Sequence, residues 1–250
     1  MSVTVAPANA ASPSAAYACL AIPAPRGLAA LQARLVDRIK RAAIRQLHAS
    51  PGGERLLLRL YLDGEEASLQ ILQDRLTAEQ PEWVTRQVRQ HLAEEEVHTR
   101  LFAAALGKTT TARLAPEGLS RRKMARWRRL SGRYTSQFEA GSLVPAYATA
   151  LCAEQMAMRI MRRHCETIGA EHALYPLFFR VLGDEERHVR LCAHTLQRLV
   201  APHEAAPLAR LLAEIRAVDA AFGISGAVAM HAAGLLYRAL ACVQPVQGAR

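Results

Sequence analysis

The sequence predicts an all-helical protein, and three observations carry that prediction. Beyond Gly27, apolar residues recur at spacings of three and four in nearly every segment. No stretch shows the sustained two-residue alternation of a half-buried strand. The stripes stop at helix punctuation: Pro51-Gly52-Gly53, Pro81, Gly107, Gly169 and Pro202. With 250 residues, 51% of them hydrophobic and 22% charged, the chain can bury the core of one large domain or two small ones and is too apolar to be disordered throughout.

Taken in order, residues 1–26 are rich in Ala, Pro and Ser and lack the charged start and apolar run of a secretory signal. They are expected to form a disordered arm, leaving 27–245 as a single helical domain. Leu28, Leu31, Leu35 and Ile39 begin a first amphipathic helix that stops before Pro51. Helices over about Glu54 to Ala78 and Pro81 to Leu106 follow, with Pro81 suited to a first turn and Gly107 to a C-terminal cap. Residues 107–120, with Thr109, Thr110, Thr111 and Pro116, are expected as a loop, the start of a basic insertion at about 107–140 that has helical potential up to Phe138. Two long helices come next, over about Leu143 to Ile168 and Glu171 to Val200. Two shorter ones, around Leu208 to Ala221 and Ala227 to Val243, are expected to cover the outside. Ser225, Gly226, His231, Gly234 and Arg238 interrupt the most apolar stretch, which suits packing on protein, so no transmembrane segment is expected. Five cysteines (Cys19, Cys152, Cys165, Cys192, Cys242) are an odd number without a C-x-x-C pair, which fits a reducing, cytoplasmic setting better than a disulfide framework or a zinc ribbon. Cys152, Cys165 and Cys192 are most simply apolar fillers.

Four helices carry an acidic residue in the middle of an apolar stripe, where an unpaired charge costs several kcal/mol. The stripes are Leu58, Tyr61, Leu62, Glu65, Leu69, Leu72, Leu76; then Val84, Val88, Leu92, Glu95, His98, Phe102, Ala105; then Tyr147, Leu151, Glu154, Met158, Met161, Cys165; and Phe178, Val181, Glu185, His188, Cys192, Leu196. Glu65 faces inward on this register and Glu66 does not. Glu and His at i and i+3 lie about 4.5 Å apart along a helix axis, close enough to grip one metal ion. Glu65, Glu95, His98, Glu154, Glu185 and His188 therefore make six candidate metal ligands and catalytic residues, at gaps of 30, 56 and 31 residues. No Lys or Arg shares these stripes, so two divalent cations are the natural counter-charge. Oxygen and imidazole ligands favour iron, with manganese also fitting, over zinc.

These segments resemble the ferritin-like di-iron carboxylate superfamily over about Glu54 to Leu199. Asp63-Gly64-Glu65 and Asp184-Glu185-Glu186-Arg187-His188 are similar to ligand segments of aldehyde-deformylating oxygenases, in the oxygen-activating branch. The resemblance implies a ferritin-like four-helix bundle, here with an additional N-terminal helix and two C-terminal helices, holding two iron ions. It implies an O2-dependent di-iron oxidase or oxygenase acting on a mainly apolar small or carrier-tethered substrate with an external electron donor. Iron handling, peroxide scavenging and tRNA-modifying hydroxylation are the alternatives. The resemblance also implies that Asp184 accepts a hydrogen bond from His98, which fixes the ring. Glu94 stands in the same relation to His188, although solvation serves Glu94 equally well.

His91, one turn before Glu95, is a group that supports a ligand, a seventh ligand or, most simply, a hydrogen-bonded core histidine. Tyr61 and Tyr147 are phenols near Glu65 and Glu154, with core packing as the simplest role. His164 and His172 carry no pattern. Ala150, Ala157, Thr99 and Ala105, beside Met158 and Met161, are expected to leave an apolar space next to the metals. Arg121, Arg122, Lys123, Arg126, Arg128, Arg129 and Arg133 put seven positive charges into 13 residues of a chain with net charge +10. They fit an acidic partner (a carrier protein, coenzyme A phosphates, RNA or an anionic membrane surface) or a solvated basic helix. A homodimer is compatible with the sequence.

Overall fold

Helix boundaries in the computed structural model follow the punctuation closely. It describes residues 17–76, 80–107 and 117–243, except the side chains of 74–76, 117–121 and 241–243. Seven α-helices are present among the described residues, and no strand: α1 (Gly27–His48), α2 (Pro51–Leu76), α3 (Glu82–Leu106), α4 (Glu117–Tyr134), α5 (Leu143–Ile168), α6 (Tyr175–Leu199) and α7 (Ala205–Val243). The threonine loop, Ala78, Cys242, the side chains of Arg121 and Leu76, and residues 1–16 of the N-terminal arm lie outside the described residues.

Four expectations need correction. The stretch at 17–20 of the arm is anchored: Ala18–Leu20 form a 3-10 turn, Leu20 is buried, the Tyr17 hydroxyl donates to the Val200 carbonyl at 2.8 Å, and Gln155 and Arg216 bond the Leu20 and Cys19 carbonyls. The first helix stops before Pro51-Gly52-Gly53 as expected, but these residues open α2, which begins at Pro51 and not at Glu54. Pro51 fits the first helical position, the Ser50 hydroxyl accepts the Gly53 N–H at 3.1 Å, and a Cβ at Gly53 would collide with the Leu47 carbonyl. The two expected C-terminal helices are one continuous helix, because Gly223 and Gly226 each cost only about 1 kcal/mol in a helix and tertiary packing on α1 offsets it. Gly234 is required there, since a Cβ would press on Gln46. By length and apolar composition α7 also meets the demands of a membrane span. Its N-terminal half is nevertheless fastened to the bundle through buried Leu208, Leu211, Leu212 and Ile215, while Ile224, Val228, Leu235, Leu236 and Leu240 are exposed. Finally, Leu28, Leu31 and Leu35 of α1 are exposed, and its buried end is Ala43, Ile44 and Leu47.

α2 packs on α3, α5 on α6, α3 touches α6, and α1 lies along α7. The core falls into two apolar clusters. One contains Leu72, Val84, Val88, Leu151, Cys152, Cys192 and Leu196 together with Trp127 of α4 and Leu211 and Ile215 of α7. The other contains Leu58, Leu62, Phe102, Met161, Cys165, Phe178 and Val181. On each of α2, α3, α5 and α6 the glutamate stands in sequence between its contributions to the two clusters, so the carboxylates form a polar layer between apolar ones. Burying each large apolar side chain contributes roughly 1.5–3 kcal/mol, and these layers offset the cost of the polar one.

Candidate metal centre

All six predicted residues meet in that layer, with exposures between 0 and 7%, whereas Glu66 is exposed. Glu65, Glu95, His98 and Glu185 form one group whose ligand-type atoms lie within 4.8 Å of one another. Glu95, Glu154 and His188 form a second, joined by His91. Glu95 belongs to both. The Nδ1 of His98 lies 3.6 Å from Glu65, 3.8 Å from Glu95 and 3.8 Å from Glu185. The Nδ1 of His188 lies 3.2 Å from Glu95, 3.8 Å from Glu154 and 3.9 Å from Glu185.

The outer nitrogens fix these rings. His98 Nε2 bonds Asp184 at 3.0 Å and His188 Nε2 bonds Glu94 at 2.8 Å, the two partners expected from the sequence. Arg187 in turn bridges Asp184 at 2.6 Å and Glu94 at 3.5 Å. With Nε2 committed outward, each Nδ1 faces the layer. The plainest expectation for His91 is overturned: its Nε2 has no hydrogen-bond partner and lies 3.3 Å from Glu95 and 3.5 Å from Glu154. Its i, i+4 spacing to Glu95 was the available signal.

Without a cation the layer is electrostatically frustrated. Burial and the adjacent Glu95 carboxylate push Glu65 up to about 8. Burial, with Glu154 and Glu65 nearby, raises Glu185 well above the carboxylate range. Burial disfavours a charged His188, but the Glu185 and Glu95 carboxylates beside it outweigh that and raise it to about 11. Burial also opposes ionisation of Glu95, yet His188 and His91 hold it below its ordinary value.

Beside the layer lies a cavity of about 360 Å³. Glu65, Glu154 and Glu185 line it, with Leu57, Leu60, Tyr61, Ala157, Ile160 and Met161 supplying apolar wall. Of the small residues expected there, Ala157 is present, whereas Ala150 lines a separate small pocket and the Thr99 hydroxyl bonds back to the Glu95 carbonyl.

A second polar group was missed entirely. Glu54 Oε2 accepts from His48 Nδ1 at 2.8 Å, His48 Nε2 meets His164 Nε2 at 2.8 Å, and His164 Nδ1 accepts from the Tyr61 hydroxyl at 2.7 Å. One tautomer assignment satisfies every bond: all three hydrogens point from Tyr61 toward Glu54. Burial pushes His164 down to about 3, so it is neutral. His172 lies against Glu54 at 3.8 Å, and its Nδ1 accepts the Leu174 N–H.

The basic segment forms an amphipathic helix. Trp127, Leu130 and Tyr134 of α4 are buried, while Arg122, Arg126, Arg128, Arg129 and Arg133 are exposed. Lys123 turns inward to Asp219 at 2.6 Å.

The chain matches no family model, no curated protein and no solved structure.

Proposed function

We propose that the chain is an O2-dependent di-iron oxidase or oxygenase on a ferritin-like four-helix bundle, acting on a mainly apolar organic substrate. The observation that carries this reading is a set of buried ligand-type atoms without hydrogen-bond partners: His91 Nε2, Glu95 Oε2, His98 Nδ1, Glu185 Oε2 and His188 Nδ1. Orphaned atoms of this kind cost free energy unless a ligand meets them. Carboxylate and imidazole donors without sulfur suit iron or manganese.

In this reading Glu65, Glu95, His98 and Glu185 hold one ion, and Glu95, Glu154, His188 and His91 the other. When bound, a reduced iron pair supplies the electrons that O2 needs to react with an organic molecule. Asp184 and Glu94 keep the two imidazoles aimed at the ions. Leu57, Leu60, Ile160 and Met161 orient the apolar part of the substrate and keep water from the carboxylate side. The electrons come from an external donor. The cavity favours this reading over iron storage, which has no need of an apolar chamber.

The test is metal analysis of the purified chain, then mixing of anaerobically reduced protein with O2 while dissolved O2 and the optical spectrum are followed. Two iron ions per chain and stoichiometric O2 consumption are expected. A chain that takes up no iron, or reduced iron protein inert to O2, overturns the proposal.

A further inference from the structure

The cavity has a second polar feature that metal binding leaves unexplained. Its carboxylates come from α2, α5 and α6, but Lys40 of α1, Lys123 of α4 and Arg163 of α5 also line it. Arg163 is committed to Asp37 at 2.6 Å, while Lys123 and Arg159 share Asp219 at 2.6 and 3.1 Å. Lys40 makes no ion pair or hydrogen bond with any described residue. Outside the carboxylate layer, Arg163, Lys123 and the neighbouring Arg159 are thus matched to Asp37 and Asp219, and Lys40 is left without an acidic partner among the described residues. Burial, followed by repulsion from Arg163, holds Lys40 below the ordinary lysine range, with Asp219 only partly opposing. A cation taken out of water without a partner is costly, and the ordinary remedy is an anion.

We infer that the cavity takes a small molecule with an apolar body and a single anionic head, the head paired with Lys40 and the body lying along Leu57, Leu60, Tyr61, Ile160 and Met161 toward the carboxylates. This rests on the cavity being the substrate chamber of the proposed metal centre, and it names the substrate class. The shared chemistry is one anionic head group on a hydrocarbon chain, either a carboxylate or a phosphate monoester. The volume suits a short chain, not a carrier protein's whole prosthetic arm. Lys40 acts here as a specificity residue: it selects the end of the substrate that stays away from the metals.

The experiment is calorimetric titration of the full chain, metal-free and zinc-loaded, with octanoate, octyl phosphate and octanol. Wild-type protein should bind octanoate or octyl phosphate at least about tenfold more tightly than octanol, and Lys40→Met should remove that preference, the scale expected for loss of one partner of a buried charge pair. Lys40→Arg should retain most of it. Because Lys40→Met removes an uncompensated cation, it should melt no lower than wild type. Ala157→Phe, which fills the chamber, should block all three ligands and so places binding in this cavity. Equal affinity for octanoate and octanol, no binding of either anion, or anion binding indifferent to Lys40 overturns the inference. So does octanoate binding that needs zinc but not Lys40, which would put the head on the ions. Metal content is measured on the same samples. A chain that takes up no metal but shows Lys40-dependent anion binding fails the metal reading alone, and the converse fails this one alone.

Discussion

The Glu–His layer between α2, α3, α5 and α6 is buried and the Glu54–His48–His164–Tyr61 chain is half-buried around a buried His164, and both are polar groups built largely from Glu and His. In the chain, every ring nitrogen and the phenol have a partner at 2.7–2.8 Å in one consistent tautomer. In the layer, four carboxylates crowd three imidazoles, and five ligand-type atoms have no hydrogen-bond partner. The chain is complete as polypeptide; the layer is left with unmet donors and acceptors, which is what the proposed metal ions would meet. Residue type is thus shared by the two groups, and the leftover donors and acceptors separate them.

The largest test of that contrast is metal content. Glu95→Ala removes the carboxylate common to both ligand groups and should reduce bound metal from two per chain to nearly none, while Glu65→Ala, Glu154→Ala and Glu185→Ala should each lower it. Glu66→Ala and His48→Gln should leave it unchanged. Equal losses across all six variants, read by elemental analysis, would erase the distinction.

Next in size is the pH response of the metal-free protein. Glu65 rises from 4.5 unfolded to about 8 folded, so its contribution is full below 4.5 and is lost as pH climbs toward 8. His188, raised from 6.5 to about 11, contributes fully below 6.5 and loses its contribution toward 11. Both slopes point the same way, and the depressed Glu95 keeps its contribution above 4.5. Melting temperature should therefore fall between about pH 5.5 and 8 without metal, and added iron or manganese should restore it. A flat or rising profile would contradict the clustered-carboxylate picture.

Asp184→Asn and Glu94→Gln act through the imidazoles and should weaken metal affinity by about 10–100-fold in chelator competition, without changing the final stoichiometry. The smallest effect belongs to the complete network. Tyr61→Phe deprives His164 Nδ1 of its donor and should cost about 1–3 kcal/mol in denaturant unfolding, with metal content intact. Loss of metal in Tyr61→Phe would mean the two groups are not separate.

The layer was legible in the sequence because each helix declares its ligand locally, as one charged residue at helical spacing inside an apolar stripe. His91 was visible on the same stripe, but whether a buried imidazole is satisfied depends on side chains from other helices, so its role was not. Tyr61, His164 and His48 come from three helices with no common spacing, and nothing local marks them as neighbours. The same holds for Tyr17 and Leu20, whose partners lie more than a hundred residues away. The continuity of α7 was hidden because glycine is only a weak breaker when the next helix packs against it.

Protons held on Glu65 and Glu185 in the metal-free layer occupy the place of the missing counter-charge. On the proposed function, metal uptake is an exchange reaction in which an entering cation displaces hydrogen ions into the solvent. In weakly buffered solution, loading should acidify the medium in step with the amount of metal bound. The same stoichiometry should make apparent affinity steepen with pH, and titrating metal-loaded protein to mild acid should release metal as protons return.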